Sequence, residues 1–247
     1  MVTREDVFRG LSMNKMFAMV AVAATIGSAA NAATIINGSF ETVGVPVPAS
    51  PANASYLEVL APSAVALPGW MVGVVGPAGT SGVDIIRNFW QASDGNYSLD
   101  LAARDVGSVS QMLTGLTNGF SYTLTFDISS NPGAAAASRS LLLSVGALTP
   151  TIFSFTDPTR TRTDMNWSSQ SYTFIATSTS ALLTFAGVPL AANARASLKT
   201  AGIALDNVAI AQTFATQVPE PESWMMMIAG FSMVGFAARR RKTAVAA

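Results

Sequence analysis

The chain contains no cysteine and no histidine. Without cysteine an exported domain has no disulfide framework, so its stability must come from a packed core or a bound metal. Without either residue the Ser/His/Asp and Cys/His catalytic arrangements are impossible, and the commonest transition-metal ligand is missing. No Gly-rich phosphate loop is present. Charge is also scarce, at 11% of 247 residues, and unevenly spread. Between Ala33 and Gln217 seven basic residues stand against ten acidic ones, a balance of −3. A mildly acidic surface without a basic stripe argues against nucleic acid as partner.

What the chain has in quantity is hydrophobic residues, 50% of the total, and the two ends tilt that average. At the N-terminus Arg4, Arg9 and Lys15 precede an apolar stretch from Met16 to Ile26, and Ala30-Asn31-Ala32 places small residues where a signal peptidase reads them. Residues 1–32 therefore read as a secretory signal peptide cut after Ala32, with translation starting at Met1 or at Met13. Eleven apolar residues are too few for an anchor helix. At the C-terminus Pro219-Glu220-Pro221 is followed by an uncharged run from Trp224 to Ala238, then by Arg239, Arg240, Arg241 and Lys242. As a helix that run covers about 22 Å, short of a hydrocarbon core, so it is expected to span only with help from Trp224 at one interface and snorkelling basic side chains at the other. The basic cluster would stop the chain on the cytoplasmic side.

The Pro-Glu-Pro motif, the apolar segment with Gly230 and Gly235 and the terminal Arg cluster resemble the PEP-CTERM sorting signal of Gram-negative bacteria that make exopolysaccharide. The resemblance implies exosortase, a membrane-embedded cysteine peptidase, as processing partner beside signal peptidase, with only a transient stay in the inner membrane. An unprocessed anchor helix is the plainer alternative.

Residues 33–217 form the domain between these ends, and 218–247 the sorting tail. Short strand patterns recur through the domain, separated by turn residues. They run 56–60, 83–87, 97–101, 108–114, 122–128, 140–145, 151–155, 169–176, 181–185 and 203–210, and Pro68-Gly69-Trp70 turns the chain into a further one. Alternation is plain in Tyr122-Thr123-Leu124-Thr125-Phe126-Asp127-Ile128, and no stretch shows a helical apolar face. The pattern predicts an all-β, antiparallel two-sheet sandwich. Asn118-Gly119 is expected to close a hairpin, Gly187–Gly202 to be loop, and Trp70 and Trp167 to be core.

Asn37-Gly38-Ser39-Phe40-Glu41, Leu67-Pro68-Gly69-Trp70, Val83-Asp84-Ile85-Ile86, Trp90 to Leu101, Gly107 to Gln111, Tyr122 to Asp127, Met165-Asn166-Trp167 and Leu205-Asp206-Asn207-Val208 follow one another in an order that resembles the choice-of-anchor C family. The resemblance implies a galactose-binding-like jelly roll at the cell surface, carbohydrate-associated or structural, within the exopolysaccharide matrix, biofilm or envelope. It also implies a structural Ca²⁺ where first and last strands meet, held by Glu41 and Asp206 with Asn37 as third contributor. Hard oxygen ligands suit that ion. The competing reading is that Glu41 and Asp206 satisfy turn amides.

The segment Asn88–Asp100 is the most functional-looking loop. Trp90 offers a ring for sugar stacking, and Asn88, Gln91, Asp94 and Asn96 offer groups that orient hydroxyls. The alternative for Trp90, and the favoured one, is a plug at one end of the sandwich. No catalytic residues are assigned. A glycosidase pair drawn from Asp84, Asp94, Asp100 and Asp105 is the rival from another class, although Asp beside Gly and Asn reads first as a turn former.

Overall fold

The computed structural model describes residues 32–47, 55–134, 138–213 and 221–243. Eleven strands make up the domain among these: β1 (Tyr56–Leu60), β2 (Met71–Val74), β3 (Ser81–Ile86), β4 (Ser98–Asp100), β5 (Asp105–Thr114), β6 (Ser121–Ser130), β7 (Arg139–Val145), β8 (Thr151–Phe155), β9 (Ser168–Ile175), β10 (Ser180–Gly187) and β11 (Ile203–Thr213). They form the expected two-sheet sandwich. The first sheet runs β1-β3-β4-β11-β6-β9 and the second β8-β7-β10-β5-β2.

Among the described strands every pairing is antiparallel except one. The start of β5 pairs in parallel with β3 (Ser81 with Asp105, Gly82 with Val106), and the rest of the strand pairs with β10 and β2 in the second sheet. This crossing requires close backbone approach. A Cβ on Gly107 would lie 2.3 Å from the Gly82 carbonyl oxygen, and one on Gly82 2.2 Å from that of Val59. Only glycine fits at either position.

The core lies between the sheets, and alternation explains who is in it. Tyr122, Leu124, Phe126 and Ile128 point inward from β6 to meet Leu141, Leu183 and Phe185, whereas Thr123 and Thr125 face out. β3 breaks the pattern, because all six of its residues are buried. Its inner face carries Val83 and Ile85. Its outer face, with Asp84 and Ile86, lies under connecting segments that add a second apolar cluster of Ile86, Trp90, Met165 and Ala204, joined by half-buried Phe89 and Trp167.

Four expectations change. Asn118-Gly119 closes no hairpin, because β5 and β6 lie in different sheets. The turn arches between them, with Gly119 at φ 83° and the Tyr122 hydroxyl accepting from Thr117 N–H at 2.8 Å. The segment 187–202 contains one helical turn, α1 (Ala196–Lys199), whose Leu198 carbonyl accepts from the buried Arg139 guanidinium. Trp70 is core, but Trp167 is only partly buried and donates its indole N–H to the Gln91 carbonyl at 3.0 Å. The tail forms α2 (Pro221–Thr243), 23 residues long, yet no helix among the described residues is long and apolar enough to cross a membrane. Basic residues occupy its last turn and the uncharged run stops at Ala238, so the expected span is not met by the helix itself.

Candidate ligand-binding cleft

Five strands of the first sheet each place one carboxyl group on the outer face: Glu58 from β1, Asp84 from β3, Asp100 from β4, Asp206 from β11 and Asp127 from β6. Each neighbours an inward-facing apolar residue, so alternation turns the acid away from the core. Register then lines them up. Glu58 stands opposite Asp84, and Asp84 opposite Asp100, while Asp206 stands opposite Asp127.

Four of the five are committed to partners. Both oxygens of Glu58 accept from Arg104 Nε, at 2.9 and 3.1 Å, in an exposed ion pair. Asp100 is fully buried. Its Oδ1 accepts from the N–H groups of Ala102 and Gly202 and its Oδ2 from Asn131 Nδ2. Burial pushes its carboxyl up to about 7, with those hydrogen bonds and Arg139 pulling the other way. Asp206, also fully buried, accepts at Oδ2 from Ser93 and Asp94 N–H and at Oδ1 from Asn207 N–H. Burial raises it to about 7, against the pull of the three amides. For Asp127 burial also acts upward, but hydrogen bonds from Ser169, Ser93 and Asn207 outweigh it and hold the carboxyl below its ordinary range.

Asp84 is different. It is 9% exposed, and its Oδ1 is buried without any hydrogen-bond partner. Burial first, then the like charges of Asp100 and Glu58, pushes its carboxyl up to about 9, so it is protonated at neutral pH. Asp84 sits in an open cleft of about 340 Å³, together with Tyr56, Glu58, Ile86, Phe89 and Asn131 and with the α1 turn forming part of the wall. Tyr56 is 45% exposed and meets Phe89 edge-on at 5.6 Å, while Arg162 covers Phe89 with its guanidinium 3.8 Å from the ring centre. The arrangement gives one accessible aromatic face beside an unpartnered acid and an amide. Such a set can stack on a pyranose ring and hydrogen-bond its polar substituents.

None of the ligand residues named from sequence lines this cleft. Trp90 is 3% exposed and donates its indole N–H to Ser98 Oγ at 2.8 Å. It offers no ring face to a sugar, because Ile86, Met165 and Phe89 enclose it as a plug. Asn88, Gln91, Asp94 and Asn96 are exposed along the loop, and Asp94 accepts from the Ser39 hydroxyl at 2.6 Å.

Glu41 accepts from the N–H groups of Asn96 and Tyr97 at 2.7 and 2.8 Å, and Asp206 from those of Ser93 and Asp94. These two carboxylates therefore hold one loop from its two sides, as amide acceptors. Asn37 is turned to its own loop, accepting from Thr42 N–H and donating to the Thr42 and Pro68 carbonyls. Among the described residues no group of three or more acidic side chains is close enough to hold a metal ion.

Of the sorting residues, Pro219 and Glu220 lie outside the described residues, as does the signal peptide up to Asn31. Pro221 opens α2, and Arg239, Arg240, Arg241 and Lys242 fall in its last turns.

A family model described as "Protein of unknown function (DUF642)" matches residues 33–211, and one described as the PEP-CTERM protein-sorting motif matches residues 217–242. Halomucin of Haloquadratum walsbyi (strain DSM 16790 / HBSQ001) is 26% identical over 183 residues, 72% of this chain. The chain spans only 2% of the length of that relative. Among solved structures, a family 16 carbohydrate-binding module overlaps 72% of this chain and 98% of its own, at 14% identity and a TM-score of 0.41. The CBM22-1 xylan-binding domain from Paenibacillus barcinonensis overlaps 60% and 88%, at 17% identity and a TM-score of 0.39. Overlaps this loose transfer neither ligand nor residue.

Proposed function

The chain belongs to the DUF642 family and carries the PEP-CTERM signal of an exosortase-sorted surface protein of Gram-negative bacteria, and on that premise we propose that it is a non-enzymatic glycan-binding protein of the cell envelope or exopolysaccharide matrix. Signal peptidase removes residues 1–32, exosortase acts near Pro219-Glu220-Pro221, and the delivered product is the sandwich. The observation that carries the binding role is the cleft on the outer face of the first sheet, where the Tyr56 ring stands beside the unpartnered Asp84.

Binding is favoured over turnover by the state of the acid pair. Asp84 and Asp100 are cross-strand neighbours, a spacing of roughly 5 Å between Cβ atoms that would suit a retaining glycosidase. Asp100, however, is fully buried and both its oxygens already accept from N–H donors, so it is closed to a substrate or a catalytic water.

The test is affinity electrophoresis of the purified protein against a panel of bacterial and plant polysaccharides. Retardation by at least one glycan, lost in Tyr56→Ala, is expected. No retardation by any of them would end the glycan-binding reading, and release of reducing ends on incubation would restore the hydrolase.

A further inference from the structure

The cleft is more specific than its aromatic lining requires. Three carboxyl groups stand in one cross-strand row, Glu58 and Asp84 in its lining and Asp100 fully buried beside them. Like charges directly opposite one another in a sheet are destabilising, so the arrangement is maintained against a cost. Arg104 relieves Glu58, and amide N–H groups and Asn131 relieve Asp100. The middle member has no such relief, although it is nine-tenths buried and lines the cleft.

We propose that the missing partner is supplied by the ligand, and that the cleft selects glycans bearing a free protonated amine, the amino sugars without an N-acetyl group. This rests on the glycan-binding reading above. An ammonium brings hydrogen-bond donors and a positive charge to a cleft-lining carboxyl group that the fold leaves short of donors, and charge-assisted hydrogen bonds are about twice as strong as neutral ones. The exposed Tyr56 ring adds a face that attracts cations as well as sugar C–H surface. A uronic acid would instead bring a carboxylate beside Glu58 and beside an Asp84 that burial already keeps uncharged, and a neutral sugar would bring no charged donor.

Protonation supports the same direction. In the free protein the Asp84 carboxyl carries a proton because burial and the acids on either side, Glu58 and Asp100, disfavour its charged form. When the ammonium docks, that proton leaves to solvent and the ion pair replaces it. Amine binding is therefore coupled to proton release, which neutral-sugar binding is not.

The experiment is isothermal titration of the full-length protein with a β-linked glucosamine hexamer and with the same hexamer fully N-acetylated, at pH 7 in two buffers of different ionisation enthalpy. The charge-assisted hydrogen bonds to Asp84, net of the cost of ionising it about two pH units below its folded value, are expected to favour the amine form by roughly tenfold. Its apparent enthalpy should shift between buffers, because a proton is released. Asp84→Asn should abolish both the preference and the buffer dependence, and Glu58→Gln, at an exposed position, should weaken the preference less.

Equal affinity for the two hexamers, or a preference that survives Asp84→Asn, overturns the amine assignment and leaves glycan binding standing. So does binding confined to neutral or acidic glycans of the polysaccharide panel. Failure of both hexamers and of the whole panel overturns the glycan reading itself, and the amine assignment with it.

Discussion

Asp206 and Asp84 occupy the same kind of place, on the outer face of one sheet and under its connecting segments, yet they have opposite relations to their surroundings. Asp206 receives three backbone N–H groups, from Ser93, Asp94 and Asn207, and fastens the 93–97 loop to β11. Asp84 receives none at its buried oxygen and fastens nothing. The difference teaches what a buried carboxyl is for. One whose acceptors are filled from within the fold acts as a brace. One left unfilled costs stability, and a natural protein retains such a cost where a site needs it.

The largest effect should come from removing the brace. Asp206→Ala leaves three N–H groups without their acceptor in a partly dry setting, at about 1–3 kcal/mol each before any water reaches them. A total of about 3–5 kcal/mol is expected, which lowers Tm by roughly 10–15 °C in a domain of this size. Glu41→Ala, at an exposed position serving the other side of the same loop, should cost only about 1–2 kcal/mol. Thermal unfolding of both variants measures this. Equal losses, or a negligible one for Asp206→Ala, would dissolve the distinction between brace and orphan.

The next effect has the opposite sign. Asp84 has its folded pKa raised from 3.8 to about 9, so the folded state holds a proton that the unfolded chain gives up above pH 4. Stability from this group is fully present below pH 3.8 and is lost progressively as pH rises toward 9. Asp100 and Asp206, raised to about 7, add losses of the same sign that are complete near neutrality. The protein should thus melt higher at pH 5 than at pH 8. Asp84→Asn removes the largest of these terms and should stabilise by about 2–3 kcal/mol at pH 7, somewhat less than the linkage alone gives because a buried amide is itself polar. A variant less stable than the parent at pH 8, or a parent whose Tm climbs from pH 5 to pH 8, would contradict the orphan state of Asp84.

Much of this fold was legible in the sequence, and the reason is local. Where one face of a strand is buried and the other wet, alternation marks it, so Tyr56–Leu60 and Thr151–Phe155 match their expected bounds and β6 extends its pattern by only a few residues. The arch at Asn118-Gly119 was not legible, since a Gly at positive φ suits a hairpin and an inter-sheet crossing equally, and sheet membership depends on distant partners. The cleft was missed for a related reason. Asp84 and Asp100 fall inside strand patterns and stand out there only as members of a loose set of acids, yet Leu57-Glu58-Val59, Val83-Asp84-Ile85, Leu99-Asp100-Leu101 and Phe126-Asp127-Ile128 share one pattern, an acid between two apolar residues. That repeat was the available signal for a row of acids on one sheet face. What no local pattern carries is the burial of that face, which depends on the 88–97 segment folding back over it. Trp90 as a plug was readable from its size, and its burial is what brings the segment down.

The smallest expected effect concerns calcium, and its smallness is informative. One oxygen of Glu41 and one of Asp206 each already accept from two amides of one loop, which competes with an ion for the same lone pairs. A ligand bound only by the folded state stabilises by RT ln(1 + [L]/Kd), about 2.7 kcal/mol at a hundredfold excess over Kd, or roughly 5–10 °C here. With the amides as partners, adding a chelator should move Tm by less than about 1 °C, and Asp206→Ala should lose the same stability with or without Ca²⁺. A chelator-induced fall of several degrees that is absent in Asp206→Ala would show that the brace is completed by a cation. The two outer-face carboxyls would then differ in which cation each meets, calcium at Asp206 and an ammonium at Asp84, rather than in whether they meet one.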